Sequence, residues 1–342
     1  MIQKKNINWG ILGCGWIAQQ FADALNGTEG AVLHAVGSRS QDKANEFAKK
    51  NDAIKAYGTY MALIEDQNID IIYIATPHSH HFANTKVCLE KGKHVLCEKA
   101  FTVNASQAKV LLDLAKSKGL FLMEALWSKF LPGMIKAKEL IDNGIIGDVI
   151  SMDADFGSKF EINPKHRLFN PYLAGGVLLD IGIYPLFLSL YMFGKPKVLK
   201  AHSVLDSNNI DLTTSMISEH STGTMCNLTS TSLAARPVKA SFYGTKGKLE
   251  FDNWWFTPCN FTLTLNDKEP EIHEFPADVN GYEYEAIEAM NCLKEGKTES
   301  EIMPHSFTIL LMEMMDEIRS QCGITYPQEL ESLEKPFGIE EM

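Results

Sequence analysis

The feature that most limits how this chain folds is a regular alternation, over its first 125 residues, of short apolar runs with helix-patterned segments. Residues 7–12, 32–37, 70–75, "KHVLCE" and "LFLMEA" read as strands. The stretch to about residue 25 and residues 41–50, 83–90 and 105–118 read as helices, the last two closed by Gly92 and Gly119. The unbroken apolar run in "DIIYIA" suits a strand covered on both faces. Strands alternating with helices of this length predict a doubly wound parallel α/β sheet.

After Trp127 the pattern changes. A helix at 135–143 leads to the alternating run "DVISMDADFG" and then to a nearly all-apolar stretch, 175–194. From 197 to 265 several strand-like runs follow with little helix between them, which predicts a largely antiparallel sheet with one face left for solvent or a partner. Two helices, 282–294 and 305–321, precede an acidic tail. A chain of 342 residues exceeds one hydrophobic core, so the expected division is 1–125 and 126–342.

Composition narrows the partners. A net charge of −11 argues against nucleic acid or an anionic membrane surface, yet allows a local basic site for a phosphorylated cofactor. Seven scattered cysteines form no C-x-x-C pair and no Cys/His ligand spacing, which points to reduced thiols, a cytoplasmic setting and no bound metal. The opening residues lack the apolar core of a signal peptide. The apolar segment 177–193 is short and interrupted by Asp180 and Pro185, so it reads as a core helix and not a membrane span.

Between the first strand and helix stands Gly13-Cys14-Gly15-Trp16-Ile17-Ala18, a G-x-G-x-x-A match. Gly13 permits the tight turn, Gly15 lets backbone approach a pyrophosphate, and Ala18 allows close helix–strand packing. Trp16 and Ile17 open the helix whose N-terminus attracts phosphate. The alternative is a glycine-rich turn with no ligand. Twenty residues beyond Ala18 the second strand ends in Ser38 and Arg39, where an NAD enzyme carries Asp or Glu. A hydroxyl and a guanidinium suit a 2′-phosphate, so the expected cofactor is NADP, with NAD disfavoured. Lys43 reads as an exposed helix lysine.

Ligands of such a sheet sit beyond the carboxyl ends of its strands. Thr76, Pro77 and His78 lie there, as do Glu98 and Lys99, although a surface ion pair would also explain the last two. In the apolar stretch, Asp180 and Tyr184 are spaced to share one helix face. The bland alternative is a core tyrosine and a capping aspartate. Pro185 removes a backbone donor and is expected to kink the helix and aim Tyr184.

"GCGWIA", "ATPHSHH", "HVLCEKA" and "LLDIGIYP", in this order and spacing, resemble the Gfo/Idh/MocA oxidoreductases over residues 8–326, and within them a branch of sugar and dihydrodiol dehydrogenases. The resemblance implies an N-terminal Rossmann domain and a C-terminal α/β domain with an open, mostly antiparallel sheet, through which a homodimer or homotetramer forms. It implies that Lys99 reaches the reacting oxygen and the nicotinamide ribose, and that Tyr184 is the acid/base. Asp180 would hold a second hydroxyl or orient the substrate; His78 and His81 would lie by the nicotinamide end, His78 as a cofactor contact and His81 as a substrate contact. Ala100 departs from the proline usual after the Glu-Lys pair.

The magnitudes agree with that chemistry. A free phenol titrates near 10. An ammonium roughly 4 Å away, at an effective dielectric of about 20, favours phenolate by about 4 kcal/mol, or roughly three pKa units, and burial opposes it. Trp127, Phe156 and the pair Trp254-Trp255 are candidate walls for a flat or ring-shaped substrate, against core packing as the alternative. The expected reaction is hydride transfer between NADP and an aldose or a vicinal diol. Two other readings stand beside it: an oxidoreductase that retains its nucleotide, and a non-catalytic NADP-binding sensor.

Overall fold

The computed structural model describes residues 6–329. Six strands, β1 (Ile7–Leu12), β2 (Ala31–Gly37), β3 (Lys55–Tyr57), β4 (Ile71–Ile74), β5 (His94–Glu98) and β6 (Leu122–Ala125), form a fully parallel sheet ordered β3-β2-β1-β4-β5-β6. The helices between them are α1 (Trp16–Asn26), α2 (Gln41–Lys50), α3 (Tyr60–Ile64), α4 (His78–Glu90) and α5 (Ala105–Lys118). All four residues of β4 are buried, as a strand covered on both faces requires. Local chemistry sets the helix ends. Asn104 accepts from the Gln107 amide at 2.8 Å to start α5, and Gly119, at φ +65°, ends it. The strand order reverses between β1 and β4, which is where such sheets bind ligands.

The chain then runs through α6 (Pro132–Asp142) and β7 (Val149–Gly157) to a wide π-helical turn, Leu178–Gly182, continued by α7 (Ile183–Phe193). Seven strands follow: β8 (Val198–Leu205), β9 (Asp211–Glu219), β10 (Met225–Thr231), β11 (Ala240–Gly244), β12 (Gly247–Phe251), β13 (Phe261–Leu265) and β14 (Glu271–His273). With β7 they make an eight-stranded sheet ordered β14-β13-β12-β11-β7-β10-β9-β8, antiparallel except where β7 pairs parallel with β10. The stretch Pro171–Phe193 is long and apolar enough to cross a membrane by composition, but 94% of its most apolar window is buried within the protein. It is a core helix.

Two helices end the described chain, α8 (Glu283–Glu295) and α9 (His305–Cys322). The chain divides into two compact units. The first comprises the residues through Trp127 together with Asp278–Ile309, and the second Ser128–Ala277 with Leu310–Glu329. The return of 278–309 to the first unit differs from a division at residue 126 alone. Specific contacts cause it: Tyr282 stacks on Trp127 with ring centres 4.1 Å apart, Asn280 donates to the Gln20 carbonyl at 2.8 Å, and the Leu122 amide donates to the Thr298 carbonyl at 3.1 Å. None of these carries a periodic signal in sequence.

Proline also acts differently from expectation. Pro185 is the third residue of α7, directly after the wide turn, and not in the interior of a regular helix. The residues before it are already helical, so the donor missing at Pro185 falls where the ladder changes from the wide turn to the regular helix. The irregularity appears as the π turn that precedes it, a form common at functional sites.

Candidate active site

In the first unit the β1–α1 turn is built for close backbone approach. Gly13 has φ +107°, and a Cβ there would lie 2.7 Å from the Ala75 carbonyl oxygen. Its amide donates to the Gly37 carbonyl at 2.9 Å. A Cβ on Gly15 would meet nothing within 4 Å, so open space lies over the start of α1. No side chain of its N-cap residue caps that helix and its own first turn carries no acid, so its leading amides have no partner from within the helix. Trp16 is exposed, Ile17 is half-buried, and Ala18 is buried against the sheet. These residues fit a dinucleotide diphosphate.

At the end of β2, Ser38 is buried, with its amide on the Tyr57 carbonyl at 3.0 Å and its hydroxyl accepting from the Ser40 amide at 3.3 Å. Arg39 is exposed. Burial pushes the Tyr60 phenol up, and the nearby Arg39 guanidinium pulls it back; the same charge adds to burial in lowering His80. Lys43 contributes its backbone amide to the Ser40 cap of α2, while its side chain is exposed.

The ends of β4 and β5 hold the remaining groups of this unit. Glu98 is buried; one oxygen accepts from the Tyr73 phenol and the other from the Lys99 amide at 3.2 Å. Burial, with the Glu98 charge beside it, drives the Tyr73 phenol well above its usual range, so it stays protonated and donates. Lys99 is half-buried directly after the tip of β5, and the Lys99–Ala100 peptide is cis. Pro77 is the N-cap of α4, which begins at His78.

Two residues differ from their expected places. His81 is 1% exposed, and its ring nitrogens lie 2.8 Å from the carbonyls of Ala100 and Thr76. Burial lowers its pKa to about 4, so the neutral ring donates to one of these carbonyls only, and the other ring nitrogen faces the second carbonyl. It has no nitrogen left for a substrate. Trp127 is buried face to face against Tyr282 instead of presenting an open wall. His78 packs edge-on to His81 at 5.6 Å, and the Thr76 hydroxyl accepts from Asn84 at 3.1 Å.

In the second unit, Asp180 lies in the π turn and Tyr184 is the second residue of α7. The buried Asp180 carboxylate accepts two hydrogen bonds from Arg167, at 2.9 and 3.0 Å, a bidentate pair that sequence reasoning missed. Arg167 lies thirteen residues upstream in a stretch without period, so nothing in the sequence links it to Asp180. The Tyr184 ring packs on Phe256 at 4.6 Å and on Phe156 at 5.7 Å, and Phe156 stacks on Phe256 at 4.5 Å. The tryptophan pair divides. Trp255 is core, its indole N–H donating to the Asp155 carbonyl at 3.0 Å, whereas Trp254 is 48% exposed with its edge on Phe156 at 6.1 Å. Among the described residues no three His, Cys, Asp or Glu side chains group as metal ligands.

Residues 7–126 match the family model for the Gfo/Idh/MocA oxidoreductases with an NAD-binding Rossmann fold, and residues 134–250 match the Gfo/Idh/MocA C-terminal domain. The chain is 36% identical to a D-xylose 1-dehydrogenase (NADP(+)) of Hypocrea jecorina, covering 94% of this chain and 93% of that protein. It is also 36% identical to the mouse trans-1,2-dihydrobenzene-1,2-diol dehydrogenase, covering 94% and 99%. Among solved structures, a 3-ketoreductase from Actinomadura kijaniata in complex with NADP and TDP-benzene superposes with a TM-score of 0.84 at 24% identity, over 93% of this chain and 98% of that one. An aldose-aldose oxidoreductase from Caulobacter crescentus gives 0.84 at 23% identity over the same shares. The structural likenesses speak to the fold, and the near-full-length sequence matches speak to descent: the chain belongs to the Gfo/Idh/MocA oxidoreductase family.

Proposed function

We propose that this protein is an NADP-dependent dehydrogenase that moves a hydride between the cofactor and a hydroxyl-bearing carbon of an aldose or a cyclic vicinal diol. The observation that carries the reading is 36% identity across 94% of the chain to an NADP-dependent sugar dehydrogenase and equally to a dihydrodiol dehydrogenase. The nicotinamide, when bound, accepts or supplies the hydride. Gly13, Gly15, Trp16 and Ile17 cradle the diphosphate, and Ser38 and Arg39 take the 2′-phosphate. Thr76, Pro77, His78 and Glu98 support the nicotinamide end.

Tyr184 takes the proton of the substrate hydroxyl in oxidation and returns it in reduction. Its ring packs against Phe256 and Phe156, which stack on each other, and these contacts help fix its position. Lys99 supplies the cation that stabilises charge on the reacting oxygen. Asp180, oriented by Arg167, holds a second substrate hydroxyl. The exposed Trp254, packed edge-to-face with Phe156, offers an apolar surface that suits the C–H face of a sugar ring or a cyclic diol.

The protein acts as a homodimer or homotetramer through the outward face of the eight-stranded sheet. Val204 of β8, Ile217 of β9, Met225 of β10 and Tyr243 of β11 are all exposed there. Apolar side chains clustered on one sheet face suit a partner surface. Its seven cysteines are unpaired, which suits the reducing cytoplasm.

The test is NADPH formation, followed by absorbance, across a panel of aldoses and cyclic vicinal diols with wild type and Tyr184→Phe. Turnover that disappears in the variant supports the reading. NADP binding with no turnover on the whole panel overturns it.

A further inference from the structure

The turn that carries Asp180 begins at a backbone corner with no cap of its own. Val177 precedes it and offers no capping side chain. The acceptor comes instead from another element. Asp211, the first residue of β9 and 0% exposed, accepts from the Leu178 amide at 2.7 Å and from the Thr214 hydroxyl at 3.2 Å. Its second carboxylate oxygen, Oδ1, is buried with no hydrogen-bond partner among the described residues. That oxygen sits against Gly176: a Cβ there would lie 1.9 Å from it, and Gly176 has φ +118°. Glycine is therefore required at the corner both by its conformation and by the closeness of the carboxylate.

The same short stretch reaches the other partner of the ion pair. Ile210 and Leu212, on either side of Asp211, form one buried cluster with Leu168 and Phe169, which directly follow Arg167. The Gly176 amide also donates to the Leu168 carbonyl at 2.8 Å. The start of β9 thus anchors both the segment of Arg167 and the turn of Asp180.

We infer that Asp211 is a positioning residue of the reaction, its carboxylate holding the N-terminal end of the turn that presents Asp180 and Tyr184. The inference rests on those two residues being the reacting and substrate-holding groups. A negative charge at the start of a helix is attracted by the amides that point at it, so the carboxylate fixes the turn more firmly than a neutral acceptor. The charge is unfavourable for folding. Burial pushes the carboxyl up to about 7 against the pull of the Leu178 amide. A folded pKa above the unfolded one means that this group subtracts stability as pH rises from about 4 toward 7. Tyr326, in the same unit, has a buried phenol that is driven up by burial and by the Asp211 charge, and Arg319 lies over its ring. A buried carboxylate that costs stability where its neutral isostere would not is the pattern expected of a group kept for placement.

Two variants test this in the full chain. Asp211→Asn keeps the shape and removes the charge; Gly176→Ala keeps the charge and pushes the carboxylate aside. The readouts are melting temperature, NADP affinity by titration, kcat and KM on the best substrate of the panel, and amide hydrogen exchange of residues 177–184. The expected result for Asp211→Asn at pH 8 is an unchanged or higher melting temperature and unchanged NADP affinity. Its kcat falls at least about tenfold, the scale that a small misplacement of a reacting group produces. Exchange across 177–184 quickens in both variants. A kcat within twofold of wild type, unaltered exchange, or loss of folded protein in both variants would overturn the proposal in favour of a purely structural carboxylate. Exchange is read without substrate. Quickened exchange with no wild-type turnover therefore supports the cap while the dehydrogenase reading alone fails.

Discussion

Arg167 grips Asp180 with two nearly parallel hydrogen bonds, 2.9 and 3.0 Å long, the guanidinium half-exposed and the carboxylate buried. The pair neutralises a carboxylate four residues from Tyr184, where an unpaired negative charge would oppose any phenolate. Removing the arginine takes both of these hydrogen bonds from a buried carboxylate. The solvent exposure of Arg167 reduces the cost below the several kcal/mol of a fully buried pair, to about 1–2 kcal/mol. Arg167→Met is expected to lower kcat on the order of tenfold and to displace its pH dependence toward alkaline values. Arg167→Lys, which keeps charge but not the fork, recovers part of the loss. Steady-state rates across pH with the three proteins check this.

A second buried carboxylate answers to pH through stability. Asp66 accepts from His34 at 3.1 Å, Lys55 at 2.9 Å and the Tyr57 phenol at 2.8 Å on one oxygen, and from the Asn68 amide at 3.0 Å on the other. Burial alone would raise its carboxyl, but the hydrogen bonds from Lys55, Asn68 and Tyr57 hold it well below the usual carboxylate range. A folded pKa below the unfolded one, about 3.9, adds stability that is present above that value and lost as pH falls through the folded pKa. Asp66→Asn is expected to lower the melting temperature by a few degrees at pH 7, and the gap between variant and wild type should narrow progressively as pH falls below about 4. Thermal melts from pH 2.5 to 8 measure it. A gap that stays constant over that range would place the contribution of Asp66 elsewhere than in its charge.

Much of this molecule is legible from spacing. The apolar run of β4 and the glycine turn after β1 report local backbone needs, so the parallel sheet and its ligand-binding edge follow from residues a few positions apart. Groups joined across long separations are not legible. Arg167 reaches Asp180 from an aperiodic stretch, and Asp211 caps a turn 33 residues away. His81 looks like a ligand in "HSHH", yet its ring is lodged between two carbonyls that only the fold brings together. Trp254 and Trp255 are chemically identical neighbours. Their fates are opposite, exposed edge and buried core, and Trp254 stands in the left-handed region at φ +64°.

The 2′-phosphate reading of Ser38 and Arg39 predicts a selective loss. Arg39 is exposed beside the Tyr60 phenol, and Ser38 is fixed by the Ser40 and Tyr57 backbone, so neither is spent on the core. Arg39→Ala is expected to weaken NADP binding by about 10- to 100-fold, the scale of a charge-assisted contact, and to leave NAD binding within about twofold. Fluorescence titration with both nucleotides tests it. Equal losses for the two would mean that Arg39 acts on the shared part of the cofactor or on the fold.

Tyr184 offers the sharpest separation of chemistry from structure. Its ring is held by Phe256 at 4.6 Å and Phe156 at 5.7 Å, contacts that phenylalanine reproduces, so Tyr184→Phe is expected to melt within about 2 °C of wild type. Removing the hydroxyl removes the proposed acid/base, and general acid–base catalysis is worth about 10²–10⁴-fold, so kcat is expected to fall at least about a hundredfold with NADP affinity unchanged. Lys99→Ala is expected to match that loss in kcat. Pro185→Ala acts one step further out. It restores an N–H at the third residue of α7, which lets the wide turn relax toward a regular helix and rotates Tyr184 away from its aim. Its kcat is expected to fall about three- to tenfold, again with NADP affinity intact. A Tyr184→Phe enzyme near the wild-type rate would remove the phenol from the mechanism. A Pro185→Ala enzyme at full rate would show that the turn keeps its shape through its other anchors.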